Sequence, residues 1–388
     1  MMSPASSADT ARPETLGPAA GPGFWSPHSW WGQRFELVRG GAKGNLVPME
    51  GLRGIAVFLV FLVHYFTLME VRLAAGGHNV APLEAVRSIG HTGVDLFFVL
   101  SGYLIYGTLI SREQAFLPFM GRRVRRIYPA FLAVFAIYFV LSLVMPSIGR
   151  LPQAAGDAAV YVLQNLLLLP GLWPTEPLIT VAWSLSYEMF FYLVTPLIIA
   201  ALGLRRRSPE LRMALLALLA VALFAYCAAY AGHVRLSMFI AGALLFEAMR
   251  RWPHASVAPG WAALAVVAGL AAAVLKADGS AAYALRTLAL FAAFGLLCSA
   301  AFGRPSSWLA RGLSWTPLRW LGNMSYSYYL IHSLAISASF MVAGRLFGNA
   351  AVAWPPALGL MAVAFVLTLI PSALLFLLIE RPYSLSKH

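Results

Sequence analysis

"EGLRGIAVFLVFLVHYF", Glu50 to Phe66, is the stretch whose reading decides the fold. It is nearly all apolar and almost reaches the ~20 residues that a helix needs to cross a bilayer. Yet Arg53 opens it and His64 sits deep inside it. At ~3.6 residues per turn their separation is close to three whole turns, so both project from one helix face. At ~1.5 Å per residue they stand roughly 16 Å apart along the axis. Such a span buries a polar stripe rather than offering it to lipid.

Working outward, the apolar pattern repeats along the chain. The 388 residues are 60% hydrophobic and only 11% charged, far from the composition of a soluble domain. Apolar runs fall near 52–70, 93–111, 129–147, 183–204, 211–231, 234–250, 258–276, 283–302, 324–347 and 352–379. They predict an all-α integral membrane protein, a polytopic bundle of about ten transmembrane helices. Residues 157–170, "DAAVYVLQNLLLLP", are too few to span and read as an interfacial or re-entrant helix. Residues 46–385 form the membrane domain and residues 1–45 a tail. The tail is rich in Pro, Gly, Ala and Ser up to about Pro22, which predicts disorder, and lacks the apolar core of a signal peptide. "FWSPHSWWGQRF", Phe24 to Phe35, mixes tryptophans with a cation and suits the membrane interface.

Net charge is +13. With no basic soluble domain to carry it, this charge predicts orientation in the membrane and not nucleic-acid binding. If the N-terminus is cytoplasmic, the inner segments hold 21 of the 28 Lys and Arg, and the outer ones keep Arg72, Arg87, Arg150, Arg235, Lys276, Arg286 and Arg345. That alternation predicts ten spans with both termini cytoplasmic. Cys227 and Cys298 lie inside apolar runs and read as small core residues. No C-x-x-C or H-E-x-x-H pattern points to a metal. No internal repeat is evident, which disfavours transporters built from inverted halves.

The intramembrane polar set is short: His64, Asp95, Glu188 and His332. Such groups either pair to hold a bundle together or line a site. Asp95 and Glu188 begin spans that enter from outside, which places both in the outer half, with Glu188 buried away from cations. "FMGRRVRRIYPAF" sets Arg122, Arg123, Arg125 and Arg126 just ahead of a span. It is either a topogenic loop or, with Arg53, a cytoplasmic cradle for a phosphorylated donor, since guanidinium forks suit phosphate. Ser184 and Glu188 share a helix face, as do Ser325, Tyr329 and His332. Gly102 after Ser101 permits close helix approach.

Arg53 and His64, Gly93-Val-Asp-Leu-Phe-Phe-Val-Leu-Ser-Gly102, Arg123-Val-Arg-Arg126-Ile-Tyr-Pro129, Trp183-Ser-Leu-Ser-Tyr-Glu188, Ser325-Tyr-Ser-Tyr-Tyr-Leu-Ile-His332 and Ile379-Glu-Arg-Pro382 occur in this order. Together they resemble the integral-membrane acyltransferase-3 family, bacterial O-acyltransferases of surface glycans, over about residues 45 to 385. The resemblance implies an acyl-CoA co-substrate, usually acetyl-CoA, taken from the cytoplasm, and no permanent cofactor. It implies a carbohydrate hydroxyl acceptor, free or lipid-linked, across the bacterial inner membrane, with glycan-assembly proteins as possible partners. O-antigen, exopolysaccharide, capsule, peptidoglycan, a macrolide or a small glucan all fit as acceptor. It also implies the stand-alone type, without a fused esterase-like domain, and departs from the family's pattern where Met189 follows Glu188.

On this reading Arg53, Arg123 and Arg126 bind the donor, and His64 is general base or transient acyl carrier, oriented by Asp95 or Glu188. Ser325, Tyr329, His332 and Ser101 serve the acceptor or the oxyanion. A transporter or flippase for a lipid-linked glycan would use the same polar core without acyl chemistry. A non-catalytic organiser of polysaccharide assembly would tolerate polar-core mutations.

Overall fold

The computed structural model describes residues 29–37, 46–145, 149–275, 278–348 and 350–385. Contacts divide the chain into two units, one ending at Leu37 and one beginning at Val38. The described part of the first holds the short helix α1, Trp30–Phe35. The Ser29 side chain caps it by accepting from Gly32 N at 2.9 Å, and Trp30 and Trp31 are exposed. The sequence readings for residues 1–28 and 38–45 lie outside the described residues.

The second unit is built from helices, with no strand among the described residues. It contains α2 (Val47–Ala75), α3 (Ala81–Ser111), α4 (Phe116–Val144), α5 (Ala155–Leu166), α6 (Trp183–Ala201), α7 (Pro209–Tyr230) and α8 (Ser237–Arg251). Then come α9 (Pro259–Val274), α10 (Ser280–Gly303), α11 (Trp308–Leu313), α12 (Thr316–Asn323), α13 (Ser325–Phe347), α14 (Trp354–Leu375) and a π-helical segment, Phe376–Leu385. Prolines open several of these helices, where a missing N–H costs nothing: Pro48 in α2, Pro82 in α3 and Pro209 in α7.

Every expected span coincides with a helix. Eight are long and apolar enough to cross a membrane. The other two, α8 and α9, have 15 and 16 residues. Large apolar side chains such as Leu218, Val221, Leu285 and Val366 are exposed, the reverse of a soluble protein's pattern. This is a multi-pass membrane architecture. By contrast α8 is buried along most of its length, against α3, α7 and α10.

One expectation needs correction. The span expected to begin near residue 129 begins at Phe116, so the arginine cluster is helical and not in a loop. Helical spacing then sorts its members, and Arg122 and Arg125 are exposed. In α5 itself Tyr161 and Asn165 are the buried residues. The chain after it folds into the bundle, with Leu178, Ile179, Val181 and Ala182 all buried. Asn165 secures this return: its Nδ2 donates to Tyr161 O at 3.0 Å and its Oδ1 accepts from Leu178 N at 2.7 Å.

Candidate active site

Because the chain re-enters before α6, that helix starts deep within the bundle. Tyr329, one turn into α13, donates to Val181 O at 3.1 Å, and its hydroxyl lies 2.8 Å from Ser184 Oγ. Glu188, one turn further along α6, therefore lies beside α3 and α4. Ser101 donates to Glu188 Oε1 at 2.9 Å, and the Tyr192 hydroxyl donates to the same oxygen.

A cavity of about 330 Å³ opens here, lined by Arg53, Ser101, Arg123, Arg126, Glu188, Ser325 and Tyr329 among others. Glu188 thus stands among cations, contrary to the outer, cation-free position expected for it. Helix register explains the choice of arginines. Arg123 and Arg126 are three residues apart on α4 and share a face toward the cavity, whereas Arg122 turns away and bonds Gln114.

Each cation is held differently. Arg53 donates to Ser325 Oγ through Nε at 3.1 Å and Nη2 at 2.9 Å. Arg126 donates to Glu380 Oε1 at 2.5 Å and lies over the Tyr326 ring. The second Glu380 oxygen accepts from Ser327 N at 3.0 Å and Ser327 Oγ at 2.5 Å. Arg123 rests over Phe119 and Tyr192, and its buried Nε has no hydrogen-bond partner among the described residues. An anion would satisfy it.

His64 and His332 do not line this cavity. Their rings meet edge to face, with centroids 4.9 Å apart. Arg53 and His64 thus both reach α13, at Ser325 and His332 respectively, as a shared face requires. His332 is fully buried, and its Nδ1 lies 3.0 Å from Tyr328 O and 2.9 Å from Tyr329 O. Carbonyls only accept, so Nδ1 carries a proton. Tyr329 touches both regions: it lines the cavity, and its ring lies 6.1 Å from that of His332.

Neither carboxylate expected to orient His64 makes a hydrogen bond or ion pair with it among the described residues. Glu188 is occupied by Ser101 and Tyr192. Asp95, also buried, faces Arg235, with Oδ1 3.6 Å from Nε. Periodicity placed both acids on bundle-facing helices, but which neighbour they meet depends on how deep α6 and α8 begin.

Sequence reasoning also missed several polar residues. Tyr192 stands four residues after Glu188, so the spacing held the signal. Glu380 lay in the Ile379–Pro382 stretch, noted without a role. Arg212, counted as a topogenic cation, forms a buried bidentate pair with Glu247 at 2.6 and 2.7 Å, and Tyr106 donates to the same carboxylate at 2.7 Å. Among the described residues no group of His, Cys, Asp and Glu is arranged to hold a metal ion.

Comparison with known proteins adds the following. A family model described as an acyltransferase domain matches residues 48–377. The peptidoglycan O-acetyltransferase OatA of Listeria monocytogenes is 27% identical over 331 residues, 73% of this chain and 48% of that protein. The O-acetyltransferase OatA of Staphylococcus aureus is 31% identical over 177 residues, 42% of this chain and 26% of that protein. The acyltransferase MdmB of Streptomyces mycarofaciens is 30% identical over 158 residues, 39% of each chain. The chain spans about half the length of these relatives or less. No solved structure matches it.

Proposed function

The chain belongs to the acyltransferase-3 family, and on that premise we propose that it moves an acyl group, acetyl in the first instance, from cytoplasmic acyl-CoA to a hydroxyl of a cell-surface carbohydrate. The observation that carries this is the cavity. It gathers Arg53, Arg123 and Arg126 beside Ser101, Ser325 and Tyr329, and Tyr329 leads on to the His332–His64 pair. The O-acetyltransferase names of two relatives support an acetyl group, and one supports a glycan acceptor of the peptidoglycan kind.

The three guanidinium groups hold the CoA phosphates at the inner mouth. The pantetheine arm extends past Tyr329 toward His64. His64 takes the proton from the acceptor hydroxyl as its oxygen attacks the thioester carbonyl. The carbon–sulfur bond then breaks, and the imidazolium returns the proton to the departing thiolate. Tyr329 and Ser184 supply hydroxyl donors near the path of the oxyanion.

The test is transfer from radiolabelled acetyl-CoA by the purified protein. His64→Ala should lose about 10²- to 10⁴-fold in rate, the usual worth of a general base. Arg53→Ala should raise the acetyl-CoA requirement, and Arg53→Lys should recover part of it. Full activity in His64→Ala at normal protein levels would overturn the mechanism. Glycan movement by the parent protein without any transfer would favour a flippase.

A further inference from the structure

Asp95 has no role in the scheme above, yet it is one of the costliest groups in the molecule to bury. It is 2% exposed, and Oδ1 has no hydrogen-bond partner among the described residues. Arg235 stands nearest, but 3.6 Å is too long for a hydrogen bond. The Arg235 Nε is already spent on the Tyr283 hydroxyl at 2.9 Å. Its guanidinium lies over the Trp183 ring, 5.5 Å from the centroid. Tyr283 and Trp183 thus fix the guanidinium beside the carboxylate without closing the gap. A buried carboxylate left unsatisfied next to an immobilised cation is poised for a ligand.

The chemistry of that gap is specific. A carboxylate only accepts hydrogen bonds and a guanidinium only donates them. A hydroxyl does both, so one hydroxyl can donate to Asp95 and accept from Arg235, and a neighbouring hydroxyl on the same ring can reach the remaining guanidinium N–H groups. The two charges cancel, so the gap suits a neutral polyol better than an anion.

The place is also specific. Along α3, Asp95 stands between the cavity-lining Val94 and Phe97, and along α6, Trp183 immediately precedes the cavity-lining Ser184. The gap therefore borders the cavity at its end toward the starts of α3 and α6, while Asp95 and Arg235 do not themselves line it. Arg235 sits in the short turn Val234–Leu236 leading into α8, and its side chain is 18% exposed, so the guanidinium side of the gap is open to the outside of the protein. His91, one turn before Asp95, lies within electrostatic range of both Arg235 and His64.

We infer that Asp95 and Arg235, held by Tyr283 and Trp183, bind hydroxyl groups of a neutral sugar and form the acceptor subsite. This assignment rests on the acyl-transfer reading, to which it adds the second substrate's position.

The test uses the full-length protein in nanodiscs, with neutral tetrasaccharides of glucose, N-acetylglucosamine and rhamnose as probes. Saccharide binding without acetyl-CoA is measured by equilibrium dialysis, and acceptor and donor KM by radiolabelled acetyl transfer. Asp95→Asn and Arg235→Gln should each weaken saccharide binding and raise acceptor KM by roughly tenfold to a hundredfold, as expected for losing a charged hydrogen bond. Acetyl-CoA binding should stay within about twofold of the parent. Tyr283→Phe, at an exposed side chain, removes only the hydroxyl that positions Arg235 and should raise acceptor KM severalfold even if the charge variants fail to fold. The assignment is overturned if no probe binds the parent, if acceptor KM and binding are unchanged in the variants, or if acetyl-CoA binding falls in parallel. Saccharide binding that responds to these variants in a protein that transfers no acetyl would uphold the subsite and refute acyl transfer.

Discussion

Glu380 shows how one residue can set the state of a distant cation. It is fully buried, and its two oxygens are divided between Arg126 and the Ser327 backbone and hydroxyl. Neutralising it would leave Arg126 without its counter-charge in a largely dry setting, and breaking such a pair from one side typically costs about 3–5 kcal/mol. Glu380→Gln should therefore lower the thermal midpoint in detergent markedly. The double variant Arg126→Met/Glu380→Met should recover much of that loss, because no lone charge remains buried. It should still bind acetyl-CoA poorly if Arg126 meets the donor. A Glu380→Gln protein as stable as its parent would show that water reaches the pair freely. His332 is determined just as locally. The two carbonyls that accept from Nδ1 belong to its own helix, so the tautomer is set by α13 itself and leaves the buried Nε2 as a lone pair.

Among the elements, the crossing of α3 and α8 does most to position the cavity wall. Gly102 and Gly242 face one another's backbones: a Cβ at Gly102 would stand 2.1 Å from Phe239 O, and one at Gly242 2.0 Å from Val99 O. Neither carbonyl belongs to a movable side chain, so the helices would have to part. Gly102→Ala should destabilise by about 1–3 kcal/mol, the usual cost of overpacking, and should depress transfer because Ser101 shifts with its neighbour. Gly295→Ala in α10 meets nothing within 4 Å and should be neutral or slightly stabilising, since alanine is the better helix former. Paired thermal melts of the two variants check this, and equal effects would refute the close crossing. Gly102 was legible as a small contact residue, but its partner Gly242 was not. Nothing in a sequence says which two helices will cross.

At the scale of the whole molecule, periodicity and apolar length were enough to set each of the ten expected spans on a helix and to put Arg53 and His64 on one face, because both are properties of a single helix. Depth was not legible. Glu188 was expected in the outer half because α6 was taken to start at a membrane surface, whereas the buried return through Leu178 to Ala182 starts it inside the bundle. Asp95, expected in the outer half, meets Arg235, a cation that charge counting had assigned to an outer loop. Orientation rests on the alternating charge bias and has a direct test. Asp278 and Ser306 are exposed and flank α10, so one crossing separates them. Cysteine is placed at each in turn, and intact cells are treated with a membrane-impermeant maleimide. The native Cys227 and Cys298 are buried and should stay unlabelled. Asp278→Cys should label in intact cells, and Ser306→Cys only after permeabilisation. The result also fixes the cavity's side. Ser306 precedes α11 and α12, and Arg319 of α12 bonds Glu50 at 3.0 Å, one turn from Arg53. Labelling of Ser306→Cys in intact cells would put the guanidinium cradle outside, where no acyl-CoA is available, and the donor assignment would fall with it.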